Sequence, residues 1–97
     1  MITEYNDYCI ICGSPRTDLH HIFKGHKQRH LADEDELVIP LCRAHHDAIH
    51  NGRHSMEFNL LCEIIGQLAY EKRKCAEGYG EGAARESFRI RYGRSYL

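Results

Sequence analysis

Residues 37–52 read LVIPLCRAHHDAIHNG, and the order of residue types in this stretch decides the fold. Its first three residues are apolar and partly β-branched, which predicts a strand that stops at Pro40. The following residues predict a short helix over 43–50, closed by Asn51 and Gly52, because a glycine there suits a helix C-cap. We therefore expect a strand that leads directly into a helix.

A second strand-like run, LHHIF at residues 19–23, lies upstream, and the two runs can pair as a hairpin. Between them, residues 24–30 are predicted to form a polar basic loop. The acidic residues 33–36, DEDE, are interpreted as part of a solvated loop, which is the ordinary environment of such a charge cluster.

Downstream, a longer helix is predicted from Ser55, as N-cap, to about Glu77. Its apolar residues recur at helical spacing and form one face that we assign to the core. The residues of that face are Phe58, Leu61, Cys62, Ile65, Leu68 and Ala69. Three glycines over 78–82 then break the chain before a further helix over 83–92, which ends at Gly93. The tail from residue 83 onward is the most basic stretch of the chain, with Arg85, Arg89, Arg91 and Arg94.

The composition fits one small ordered domain spanning 1–97, in which 42% of residues are hydrophobic and 28% are charged. That size excludes the large α/β enzymes. No apolar run reaches the ~20 residues of a membrane span, so no membrane partner is expected. The first nine residues lack both the basic start and the apolar segment of a signal peptide, which predicts a cytoplasmic, reducing location without disulfides.

Five cysteines and eight histidines are a composition typical of metal sites. Cys9 and Cys12 have knuckle spacing, and Cys42 and His45 repeat it downstream. Together they predict a structural zinc site with three thiolates and one imidazole, closed to water because four protein ligands fill the tetrahedron. The two remaining cysteines, Cys62 and Cys75, stand alone in the long helix and are interpreted as free buried cysteines.

A second metal site is indicated by His46 and His50, which are four residues apart on the short helix and emerge from the same face. His20 or His21 can supply a third ligand from the hairpin, leaving open positions for water and substrate. Adjacent strand residues point to opposite sides, so one of the two is expected to be a ligand and the other free. A neutral imidazole beside a metal suits removal of a proton from water. The alternative is that all four histidines are non-catalytic.

The pattern CxxC at residues 9–12, LHHI at 19–22 and PLCxxHHxxxH at 40–50 resembles the HNH endonucleases of the ββα-metal type. The resemblance covers residues 9–50, about half of the chain. The remainder, with GQLA at 66–69 and the ending FRIRYGRSYL at 88–97, resembles small phage and prophage nucleases of this class less specifically.

The resemblance implies an α+β fold in which an antiparallel hairpin and a helix grip an ion, with residues 55–97 as a helical C-terminal extension. It implies that His20, His46 and His50 bind the catalytic ion and that His21 is the general base. The implied activity is hydrolysis of DNA phosphodiester bonds. Imidazole ligands suit Zn²⁺, Ni²⁺, Co²⁺ or Mn²⁺ better than Mg²⁺, yet Mg²⁺ or Mn²⁺ serves many relatives, so the ion stays open.

One position departs from the family pattern. The family's middle Asn, which orients the base histidine through the backbone, should fall where this chain has Leu37, with Glu36 beside it. Either another group orients His21, or the enzyme is slow or inactive.

DNA is the expected partner, with a phage packaging or recombination protein as a second partner considered. The basic residues expected to contact backbone phosphates are Lys24, Lys27, Arg29, Arg43 and Arg53. The formal net charge of −1 rises to about zero once two divalent ions and three thiolates are counted, so net charge does not decide whether the chain binds DNA. The rival function is a non-catalytic zinc module that binds DNA or a protein, with only one metal per chain.

Overall fold

The computed structural model describes residues 7–23 and 25–97, which form a two-stranded antiparallel sheet and four helices. In chain order the elements are β1 (Thr17–His21), α1 (His26–Glu34), β2 (Val38–Cys42), α2 (Arg43–Asn51), α3 (Ser55–Ala76) and α4 (Glu81–Tyr92). The α+β class predicted from the sequence is confirmed. None of the described helices is long and apolar enough to cross a membrane.

β1 and β2 pair in antiparallel register, with Thr17 opposite Cys42 and His21 opposite Val38, so the predicted pairing is confirmed. The prediction that Pro40 stops the second strand is wrong, because β2 continues for two residues beyond it. The carbonyl of Pro40 accepts a hydrogen bond from the Ile10 N–H at 3.0 Å, on the side away from β1. The proline nitrogen faces the same way, so the ladder between the strands loses no hydrogen bond.

The connection between the strands differs from the predicted basic loop over residues 24–30, because α1 begins at His26 and runs to Glu34. The acidic segment is also not a solvated loop. Asp35 accepts hydrogen bonds from Arg91 Nε at 2.7 Å and from the Tyr92 hydroxyl at 2.6 Å, and Arg91 Nη2 also donates to Glu34. These partners lie more than 50 residues downstream, so α1 is tied to α4 by contacts that no local pattern reports.

Part of the core is a cluster of aromatic rings that joins the end of β1 to the last two helices. Phe23, just after β1, is 1% exposed, and its ring lies 4.7 Å from that of Tyr92. Phe88 stacks on Tyr92 with 4.6 Å between ring centroids, and Tyr70 of α3 meets Phe88 edge-on. The end of β1 is therefore fixed by packing against α3 and α4.

The buried face of α3 is rotated from the predicted one. Leu61 and Leu68 are about half exposed, whereas Gln67 is fully buried. The amide of Gln67 donates to Glu71 and Ser95 and accepts from the Tyr96 N–H at 2.7 Å, so its polar atoms are paired with the segment after α4. Because that segment packs on α3, a glutamine faces inward and two leucines face outward.

The predicted helix ends are close to the observed ones. The N-cap of α3 is His54 rather than Ser55, which is the first helical residue. α4 ends at Gly93 with a left-handed φ of 87°, as a C-cap glycine should. Of the two cysteines assigned to the core, Cys62 is buried, and burial raises its pKa to about 11, whereas Cys75 is exposed and was wrongly assigned.

Gly52 follows α2 in extended backbone rather than in the left-handed region. A glycine is required at this position for steric reasons, because a Cβ there would lie 2.4 Å from the carbonyl oxygen of Ala48. Gly52→Ala is expected to lower the free energy of unfolding by about 1–3 kcal/mol, measured by chemical denaturation of zinc-loaded protein. Gly82→Ala, in the first turn of α4 where an added Cβ meets nothing within 4 Å, is the control and should stabilise by about 0.5–1 kcal/mol. Equal stability of Gly52→Ala and the wild type would contradict this packing.

Candidate active site and metal centres

The N-terminal knuckle is a tight turn over residues 9–14. The Cys9 N–H donates to the Ser14 carbonyl at 2.9 Å, and the Gly13 N–H donates back to the Cys9 carbonyl at 2.8 Å. Gly13 has a φ of 75°, a conformation that glycine adopts without strain. The turn folds Cys12 back toward Cys9, as the spacing predicts.

The second half of this site comes from the junction of β2 and α2. Cys42 is the last residue of β2, and His45 lies in the first turn of α2. The hydrogen bond from Ile10 to Pro40 docks the knuckle on this junction. The ligand atoms of Cys9, Cys12, Cys42 and His45, which we call the knuckle cluster, all lie within 4.8 Å of one another and can hold a metal ion such as zinc.

The spacings in the knuckle cluster fit a tetrahedral zinc ion. Zn–S bonds of about 2.3 Å and Zn–N bonds of about 2.05 Å imply about 3.8 Å between two sulfurs and about 3.6 Å between sulfur and nitrogen. Cys12 Sγ lies 3.8 Å from Cys42 Sγ, and His45 Nδ1 lies 3.5 Å from Cys9 Sγ and 3.2 Å from Cys42 Sγ. Four ligands at these distances form a closed, structural type of site.

The electrostatics of the knuckle cluster also favour a cation. Burial opposes ionisation of Cys9, but hydrogen bonds from the backbone N–H groups of Cys42 and Cys12 outweigh it and lower its pKa to about 6. At Cys42 the backbone N–H of His45 favours the thiolate, whereas burial and the two neighbouring sulfurs oppose it, and the pKa is raised. One thiol therefore ionises readily while its neighbour resists a second negative charge, and a bound cation would relieve that repulsion.

The second cluster, here called the three-histidine cluster, consists of His20 from β1 and His46 and His50 from α2. Their ligand atoms also lie within 4.8 Å of one another. The ring centroids of His46 and His50 are 4.9 Å apart, and that of His20 is 5.5 and 5.7 Å from them. His20 is 3% exposed, whereas His50 is exposed, so the cluster is closed on one side and open to solvent on the other.

Asp18 lies two residues before His20 and therefore projects from the same face of β1. Its Oδ2 accepts a hydrogen bond from His46 Nδ1 at 3.4 Å. This contact leaves Nε2 of His46 as the nitrogen for a ligand, the arrangement that orients metal-binding histidines. Sequence reasoning missed Asp18, although the alternation of side chains along a strand was a sufficient signal.

A cleft of about 370 Å³ opens beside the three-histidine cluster, and all three imidazoles line it together with His21, Phe23, Gly25 and Arg29. His21 is not a member of the cluster. Its Nε2 lies 2.6 Å from Asp33 Oδ1 of α1, and its side chain is 25% exposed. Leu37, at the position where the HNH pattern has Asn, is fully buried in the core, and its carbonyl accepts from the Ile22 N–H.

Of the basic residues expected to meet phosphate, Arg29 lines the cleft, while Lys27 and Arg53 are exposed elsewhere on the surface. Arg43 is also exposed, with its Nε 3.7 Å from Asp18. Lys24 lies outside the described residues. The basic C-terminal segment is largely paired, in Arg85–Glu71, Arg89–Glu86 and Arg91–Asp35. Arg29 is therefore the predicted phosphate contact best placed for chemistry in the cleft.

Comparison with known proteins places these clusters in a family. The uncharacterized protein YdfU of Escherichia coli (strain K12) is 43% identical to this chain over 44 residues, which are 43% of this chain and 12% of YdfU. The chain thus spans about an eighth of that relative. No solved structure matches this chain. A family model described as "Protein of unknown function (DUF968)" matches residues 5–68, which hold every ligand of both clusters. Since that segment is well over half of the 97 residues, the chain belongs to the DUF968 family.

Proposed function

We propose that this protein is a metal-dependent DNA endonuclease of the HNH type, with a ββα-metal core formed by β1, β2 and α2. The observation that carries the proposal is the convergence of His20, His46 and His50 beside His21 in one cleft. A structural zinc at the knuckle cluster would hold β2 and α2 together and thereby fix the relative positions of these histidines.

The three-histidine cluster fits a divalent ion by the chemistry of its donors. Three neutral imidazoles bind Zn²⁺, Ni²⁺, Co²⁺ or Mn²⁺ well, and three protein ligands leave positions for water and substrate. Mg²⁺ prefers oxygen ligands, but it stays a candidate on the resemblance. A bound divalent ion would supply stabilisation of the negative charge that develops on the phosphate and on the leaving oxygen.

The chain's own residues account for the remaining requirements of hydrolysis. His21 is suited to take a proton from the attacking water, because its imidazole lines the cleft without belonging to the metal cluster. Arg29 offers a cation at the cleft wall, where a backbone phosphate would sit. Phosphate contacts of this kind carry no sequence information, so we expect cutting with little sequence specificity.

The test combines metal content with cleavage. Protein purified without chelator is assayed for metals by elemental analysis and incubated with supercoiled plasmid in Mn²⁺, Mg²⁺, Ni²⁺ or Zn²⁺. We expect one zinc that resists EDTA, a second site that exchanges, and nicking or linearisation with at least one ion. One tight zinc and no cleavage with any ion would overturn the nuclease and favour the rival, a non-catalytic zinc module that binds DNA or a protein.

Asp18→Ala is expected to weaken metal binding at the three-histidine cluster by about 10–100-fold, because His46 loses the carboxylate that orients its ring. Isothermal titration of zinc-loaded protein with Ni²⁺ measures this without reference to activity. Arg43→Ala, which removes the guanidinium next to Asp18, is the control and should leave the affinity for Ni²⁺ unchanged. Equal affinities of Asp18→Ala and the wild type would contradict the orienting role.

A further inference from the structure

The proposed function, on which this inference rests, leaves open what orients His21. Leu37 is fully buried, and its backbone carbonyl, the kind of group through which the Asn of the HNH pattern acts, accepts a hydrogen bond from the Ile22 N–H instead. His21 nevertheless has a hydrogen-bond partner on a different element, since Oδ1 of Asp33 in α1 lies 2.6 Å from its Nε2. We infer that Asp33 is the positioning residue for His21 and takes the role that the Asn has in HNH endonucleases.

The chemistry of this contact fixes which ring nitrogen of His21 acts as the donor. An ionised carboxylate only accepts hydrogen bonds, so Nε2 of His21 must carry the proton and donate it. In the neutral imidazole the lone pair then lies on Nδ1, which is the nitrogen that can accept a proton from water. Asp33 therefore selects both the orientation and the tautomer that a general base requires.

An exposed contact between two polar side chains usually contributes little to stability, because holding two mobile side chains together costs entropy. Asp33 is about half exposed, but the backbone that carries it is fixed on both sides. Ala32 is fully buried and its carbonyl accepts from the Leu37 N–H at 2.8 Å, while Asp35 is bound by Arg91 and Tyr92. α1 thus presents Asp33 to His21 from a clamped segment, which reduces the cost of the contact.

Arg29 lies four residues before Asp33 on α1, so the same face of the helix carries both. Arg29 lines the cleft and Asp33 holds a histidine that also lines it. The helix inserted between the two strands is therefore positioned to serve the active site as well as to connect the strands.

The test compares plasmid cleavage by the wild type, Asp33→Ala and Asp47→Ala under the ion that works best. Asp47 is an exposed acid on α2, between His46 and His50 in sequence, and its removal changes the net charge equally. Removing a negative charge near a polyanionic substrate should by itself leave cleavage unchanged or strengthen binding. If Asp33 positions the base, Asp33→Ala instead lowers kcat by about 10-fold or more, with KM unchanged or lower, whereas Asp47→Ala does not lower kcat.

A spectroscopic readout accompanies the kinetics. In ¹⁵N-histidine-labelled, zinc-loaded protein, the Nε2 proton of His21 should be visible in the wild type and in Asp47→Ala, and lost to exchange with water in Asp33→Ala. Equal kcat for wild type and Asp33→Ala, or an unchanged His21 resonance, would overturn the positioning role and leave the nuclease standing. Absence of cleavage by the wild type with every ion would overturn the nuclease, and the positioning role with it.

Discussion

Cys12→Ser is expected to unfold the chain at room temperature. Cys12 and Cys42 hold their sulfurs 3.8 Å apart, so the variant removes one of the four ligands that join residues 9–12 to the start of α2. Structural zinc sites contribute on the order of 10–16 kcal/mol of apparent binding free energy. That is as large as the whole stability of a small domain, about 5–15 kcal/mol, so the variant should have no stable folded state.

The measurement is a thermal melt followed by far-UV circular dichroism, with zinc determined on the same sample. Cys75→Ser is the matched control, because Cys75 is exposed on α3 and lies outside both clusters, and it should melt like the wild type with its zinc retained. A Cys12→Ser protein that is soluble, free of zinc and as heat-stable as the wild type would refute the structural role of the site.

The metal-ligand pattern was predictable because it depends on local spacing. Two residues at knuckle spacing can reach one ion whatever surrounds them, and two histidines four apart on a helix share a face. The structure brings the ligands of each predicted set within 4.8 Å. The two strands were also predictable from local sequence, since runs of β-branched and apolar residues mark both of them.

The helical structure of α1 could not be predicted from its local sequence. Residues 26–36 read HKQRHLADEDE, in which Leu31 and Ala32 are adjacent and form no apolar stripe that would indicate a helix. Its acidic end becomes ordered through Arg91 and Tyr92, more than 50 residues away, and through the buried Ala32. The rotation of α3 also depends on contacts distant in sequence, because Gln67 faces inward to pair with Ser95 and Tyr96, 28 and 29 residues away.

The candidate site shows the same division between local and long-range information. Spacing identified His46 and His50 and left His20 or His21 as the third ligand, and the HNH resemblance assigned their roles. Asp18 and Asp33, which contact His46 and His21, were missed. Asp18 was accessible to strand alternation, because it shares a face with His20. Asp33 was not, because its contact with His21 depends on where α1 lies relative to β1.

His21→Ala is the variant expected to cost the proposed activity most, by about 10²–10⁴-fold in kcat, the range typical for loss of a general base. The change should leave the fold intact, because His21 is a partly exposed residue at the end of β1 and its ring is outside the buried core. Plasmid nicking under the ion that works best is the assay, and circular dichroism checks the fold.

Metal binding separates a base from a ligand. His21 belongs to neither cluster, so His21→Ala should retain its zinc and bind Ni²⁺ at the second site with wild-type affinity. His46→Ala should lose the second metal together with activity, because it removes one of three ligands. His54→Ala, which alters a mostly exposed imidazole before α3, controls for histidine loss in general and should cleave like the wild type.

Three outcomes of this comparison have different meanings. Cleavage by His21→Ala at the wild-type rate would remove His21 from the mechanism, because the proton of the attacking water would then be accepted without it. Loss of cleavage together with loss of the second metal would make His21 a ligand, contrary to its position against Asp33. Loss of cleavage with both metals retained is the expected result, since a general base is dispensable for metal binding but required for hydrolysis.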